Sequence, residues 1–174
     1  MEMFLIQLVG AIGYTLISCS FYRKKKIDIL FLQIFSYVFF SIHYFLLKAY
    51  TGTICNVLGL FALIMIYIVE KKKDNKRRNN IILGIIPILV LISMLTYENF
   101  FSILPIVASV LSLISFLTDS EDTIRAIGIM SAISWLIYAI IYKSYVAIVF
   151  EIITVIATLI AFIKMREKNK KATK

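Results

Sequence analysis

Apolar runs follow one another along almost the whole chain, separated only by short polar breaks. A helix that crosses about 30 Å of hydrocarbon needs roughly 17–25 such residues, and the runs meet that length or come just short of it. The strict alternation of a transmembrane β-barrel strand is absent. Of the 174 residues, 61% are hydrophobic, and the mean hydropathy is +0.92. A soluble domain of this length has too small an interior to hide that much apolar surface. The solvent is therefore lipid, where backbone N–H and C=O groups must be satisfied inside helices. The expected fold is an all-α membrane protein with seven transmembrane helices, over about 4–21, 28–47, 52–69, 81–96, 101–117, 124–142 and 146–164. Pro87 and Pro105 fall inside the fourth and fifth spans, where proline marks a bend, and Pro105 is the candidate hinge.

A formal charge of +9 would suit nucleic acid, but its distribution points elsewhere. Basic residues cluster at 23–26, at 71–78, at Arg125 and in the tail from Lys164 onward, all on one side of the seven-span map. The opposite side carries only Lys48 and Lys143. By the positive-inside rule the N-terminus lies outside and the C-terminus in the cytoplasm. The partners implied are a lipid bilayer and a small polar solute, not nucleic acid, with a homo-oligomer left open. The first span has no basic residues before it, so it reads as a retained helix and not a cleaved signal. The run EKKKDNKRRNN at 70–80 reads as a solvated cytoplasmic linker, and the tail after Ile163 as a frayed or disordered end.

Sliding the chain against itself by 95 residues aligns 4–73 with 99–168 without a gap. Ser36 then meets Ser131, Lys48 meets Lys143, Tyr50 meets Tyr145, and every span boundary coincides. The spans thus divide into two three-helix units separated by the fourth span, a 3+1+3 plan. Three helices reverse direction across the membrane, so the extra span makes the two units parallel repeats about an axis along the membrane normal. The expected divisions are a first three-helix bundle (1–73), a linker and connector helix (74–98), a second bundle (99–168) and a cytoplasmic tail (169–174).

Polar residues inside the spans single out a site. Glu151 stands in otherwise apolar company, where a charge at a helix centre costs roughly 2.5–3.5 kcal/mol. It needs water or a partner, and His43, the single histidine, is the expected one. Asn56 occupies the matching place in the first repeat. At 1.5 Å per residue, Asn56, Glu151 and His43 share one depth, with Phe40 and Trp135 a turn deeper. Asn56 and Glu151 would form the polar wall of a solute pocket, and Trp135 and Phe40 its flat apolar faces. Tyr14, Ser18 and Ser109 could add hydroxyls, whereas Gly10, Gly13, Gly59 and Ser112 read as close-packing positions between helices. No catalytic triad, metal-ligand cluster or phosphate-binding glycine loop is present, so neither enzyme activity nor a cofactor is expected.

An aromatic on the second helix of each repeat is followed sixteen residues later by a polar residue on the third, Phe40 with Asn56 and Trp135 with Glu151. This pattern and the 3+1+3 plan resemble the SWEET sugar transporters and the single-repeat SemiSWEETs of the PQ-loop group. The whole chain looks most similar to the YgjV family of bacterial inner-membrane proteins. The resemblance implies a bacterial cytoplasmic membrane location and a sugar-like small solute moved by alternating access. The alternative is a non-transporting membrane scaffold or sensor with a basic cytoplasmic face.

Overall fold

A computed structural model describes residues 2–21, 23, 25–118 and 121–172, and all its regular structure is helical. The helices are α1 (Glu2–Phe21), α2 (Lys26–Leu46), α3 (Tyr50–Glu70), α4 (Asn75–Met94), α5 (Ile103–Ser115), α6 (Glu121–Ile141) and α7 (Tyr145–Ala172). A short 3-10 turn, Phe100–Ser102, leads into α5. Four helices, α1 to α4, are long and apolar enough to cross a membrane, and the apolar stretches of the other three are shorter.

The distribution of side chains follows from an apolar solvent. Large hydrophobics point outward, among them Phe4, Phe61, Leu91, Ile140 and Val149. The interior combines fully buried apolar side chains such as Leu30, Ile66, Ile82 and Leu89 with small and polar ones, including Ser20, Ser36, His43, Thr51, Asn56, Ser93 and Ser131. Small side chains let helix backbones approach where water supplies no drive to association. Many buried or half-buried hydroxyls donate to a carbonyl on their own helix, as Ser36 does to Leu32 and Ser112 to Ala108. Such bonds leave few polar groups without a partner in an apolar surround.

Glycines mark the closest approaches. A Cβ on Gly10 would lie 2.8 Å from the His43 ring, one on Gly13 2.7 Å from Phe40, and one on Gly59 2.5 Å from Tyr37. The close-packing role expected of these three glycines agrees with that geometry.

Helix α1 packs on α2 and α2 on α3, while α5 packs on α6 and α6 on α7. The two groups meet where α1 touches α7 and where α3 touches α5, and α4 rests on both α3 and α5. The α2–α3 and α6–α7 turns share one design. Lys48 and Lys143 both adopt positive φ, at 59° and 55°. Ala49 N–H bonds Tyr44 O and Ser144 N–H bonds Ala139 O, each at 2.9 Å. A left-handed residue after the helix end lets the following N–H groups cap its last carbonyls.

Two segments differ from the sequence reading. Residues 75–80 of the expected linker are the first turns of α4, because Asp74 caps the helix by accepting from Arg77 N–H at 2.9 Å. Arg78, buried there, lies 3.7 Å from Glu70 across the turn. At the other end, α7 stays helical to Ala172, past the frayed end expected after Ile163.

Candidate functional site

A cavity of about 260 Å³ opens between the two groups of helices. Every helix except α4 contributes to its wall: Tyr14 and Ser18 from α1, Tyr37, Phe40 and Tyr44 from α2, Asn56 from α3 and Ser112 from α5, with Ser131 and Trp135 from α6 and Phe150, Glu151 and Thr154 from α7. It runs from the level of Asn56 and Tyr44 toward Ser115, at the end of α5, and Ile124, near the start of α6.

Four side chains expected at the site from their depth, Asn56, Glu151, Trp135 and Phe40, line this one cavity, and Tyr14 joins them. Tyr14 donates its hydroxyl to Glu151 Oε1 at 3.1 Å, which ties α1 to α7. The Tyr14 ring lies 4.7 Å from that of Phe40 and stacks at 4.8 Å on Phe150. Asn56 turns its amide nitrogen back onto Gly52 O at 2.8 Å. Ser109, which the 95-residue alignment sets opposite Tyr14, has too short a side chain to reach across as Tyr14 does.

His43 is not the partner of Glu151. Its Nδ1 lies 2.8 Å from Ile6 O and its Nε2 2.7 Å from Ser144 Oγ, so both ring nitrogens are engaged and the ring stays out of the cavity wall. The reason is angular: His43 shares the depth of Glu151 but faces α1 and the start of α7. Pro105 is also placed differently from a mid-helix hinge. It lies buried in the first turn of α5, where a missing N–H interrupts no helical bond, so it begins the helix and does not bend it. Ser112 lines the cavity and Ser109 does not, the reverse of their expected roles.

Three further wall residues, Tyr37, Tyr44 and Phe150, are not singled out by sequence reasoning. The first two carry a legible signal, since Tyr37, Phe40 and Tyr44 are spaced to share one helix face. Tyr44 is 2% exposed, and its hydroxyl has Tyr14 and Ser144 as polar neighbours but makes no close hydrogen bond among the described residues. Its ring packs on Trp135 at 5.4 Å and Tyr138 at 5.7 Å, which puts an aromatic cluster over one end of the cavity.

That end is also where the two helix groups are tied. Tyr138 accepts Gly52 N–H at 3.0 Å, and His43 meets Ser144. Gln7 bonds both Lys143 O and Val146 N–H, at 3.0 and 3.1 Å. In the 95-residue alignment His43 corresponds to Tyr138, so the two cross-ties leave from equivalent places on α2 and α6. The two helix groups are thus clasped at one end around a hollow.

Residues 4–169 match the model of the Imp-YgjV family, described as a bacterial inner membrane protein. The chain belongs to that family. Its apolar helices and outward hydrophobic faces fit a bacterial membrane location. No curated protein and no solved structure matches the chain.

Proposed function

We propose that this YgjV-family protein carries a small solute across the bacterial inner membrane by alternating access. In this reading all seven helices span the bilayer as two parallel three-helix repeats joined by α4. The N-terminus is outside and the basic ends of the helices are cytoplasmic. The observation that carries the proposal is the cavity itself: both helix groups line it, and it bears a carboxylate, an amide and several aromatic faces. A scaffold or sensor has no need of a polar hollow between its halves. Pockets that hold small molecules have this make-up, mostly apolar with a few convergent polar groups. The clasp of His43, Tyr138 and Gln7 closes the end expected to be outer, and the cavity runs toward the expected cytoplasmic end. Rocking about the clasp would widen the cytoplasmic end, and release of the clasp with closure of that end would expose the site to the outside in turn.

The test is a thermal-shift panel of glucose, leucine, uridine and choline on purified protein, followed by uptake of each binder into proteoliposomes. A blocking variant is available at Gly128, which lines the cavity and would place a Cβ in open space. Gly128→Phe should fold and fill the hollow. Uptake that exceeds protein-free vesicles and disappears in Gly128→Phe supports carriage. Uptake that stays the same in Gly128→Phe, or no member of the panel binding or moving, removes it.

A further inference from the structure

We infer that the cavity takes a small organic cation, an alkyl- or arylammonium, in an aromatic cage closed by the Glu151 carboxylate. This rests on the carrier reading and names its solute class. Among the described residues, Glu151 is the one acid in the wall, and no lysine, arginine or histidine lines it. The histidine at matching depth is held elsewhere by Ile6 O and Ser144. The carboxylate thus has a neutral donor, the Tyr14 hydroxyl, and no counter-charge from the described wall. A charge in an apolar interior is stabilised chiefly by an opposite charge beside it, which an ammonium solute would bring.

The walls fit the same ligand. Tyr14, Tyr37, Phe40, Tyr44, Trp135 and Phe150 line the cavity around that carboxylate. The faces of aromatic rings carry negative potential and attract cations, and aromatic boxes are a recurring way to hold ammonium groups. Tyr44 also lines the cavity, and its buried hydroxyl has Tyr14 and Ser144 as polar neighbours but no close hydrogen bond among the described residues, so a ligand could satisfy it.

A sugar fits less well. Each of its several hydroxyls loses water on entry and must find a protein partner. The wall offers few free groups. Asn56 has turned its amide nitrogen to Gly52 O, and Ser112, Ser115 and Ser131 donate to helix carbonyls. An ammonium needs one counter-ion and flat faces, both of which are present. At about 260 Å³ the cavity lies just below the usual range for ligand pockets, roughly 300–1,000 Å³, so the solute is small.

The experiment compares choline with 3,3-dimethylbutan-1-ol, which has the same shape without the charge, on the full-length protein in detergent. The sequence holds 1 tryptophan, Trp135, so its fluorescence reports occupancy of the cage directly. Choline should change that fluorescence and bind at least roughly tenfold tighter than the alcohol, within the range of a desolvated cation on aromatic faces. In Glu151→Gln the two should bind nearly alike, and Trp135→Leu, which has no tryptophan and is read by titration calorimetry instead, should weaken choline more than the alcohol. Equal binding of the two in the wild-type protein overturns the assignment. So does a choline preference that survives Glu151→Gln, or Trp135 fluorescence indifferent to choline. If instead glucose enters proteoliposomes, Gly128→Phe stops it and choline does not compete, the cation fails while carriage stands. Choline binding without uptake of any solute does the reverse: the cation site stands and carriage fails.

Discussion

The contact of α1 with α7 and the contact of α3 with α5 are two of the places where the helix groups meet, and they are built differently. At the first, Tyr14 crosses to Glu151 and leaves a hollow beside the pair. At the second, Ser109 is too short to cross, Asn56 bonds its own helix, and α4 lies against both α3 and α5. Both seams border the cavity, but one has a long polar bridge across it and the other has polar groups that bond their own helices. A few side chains thus set the two seams apart. The lesson is that a carboxylate is tolerated where a tyrosine hydroxyl bonds it across the seam, and an amide suffices where it can bond its own helix.

The strongest way to break this comparison is to move the acid. Asn56→Glu should cost about 3–5 kcal/mol, because it adds a second buried carboxylate to a cavity that already holds Glu151, whereas Glu151→Gln should change stability by about 1 kcal/mol or less. Chemical unfolding of both variants in detergent checks this, and equal losses would mean that the seams do not differ. The clasp comes next. His43→Ala should lose about 3 kcal/mol, from two hydrogen bonds and the void left beside Gly10, and Tyr138→Phe about 1 kcal/mol. The same unfolding assay ranks them, and a larger loss for Tyr138→Phe would reverse the roles of the two ties.

Glycines sharpen the contrast between crowded and open positions. A Cβ on Gly52 would stand 2.6 Å from Tyr138, while Gly84 has nothing within 4 Å. Gly52→Ala should therefore lose about 1–2 kcal/mol after the helix-propensity gain is set against the clash, and Gly84→Ala should gain up to about 1 kcal/mol. The shift in Tm carries opposite signs for the two. The smallest effect tests the likeness of the halves. Lys48→Gly and Lys143→Gly should each stabilise by about 0.5–1 kcal/mol, since both lysines occupy the left-handed region that glycine enters freely. Gains that differ in sign would show that the two turns are not equivalent.

Much of this is legible in the sequence, for identifiable reasons. Apolar runs locate the helices because lipid demands them, and the 95-residue register alone pairs Phe40 with Trp135 and Asn56 with Glu151. Rise per residue gives depth along a helix, so most of the depth slab does assemble around one cavity. Depth says nothing of direction around the bundle. That is why depth pairs His43 with Glu151 while Tyr14 holds it, and why Ser109 and Ser112 exchange places. The start of α4 escapes a hydropathy reading because its first turns, 75–80, are polar, and hydropathy does not register helix beyond the apolar layer. The Asp74 cap is the available clue.

The ties at Gln7, His43, Gly52 and Tyr138 behave as a rivet set near one tip of a pair of shears. Leverage then favours the far tips: a slight rotation at the rivet sweeps the basic ends through a much wider arc. Loosening the rivet itself requires His43 and Tyr138 to let go together, so that end should part abruptly and not by degrees.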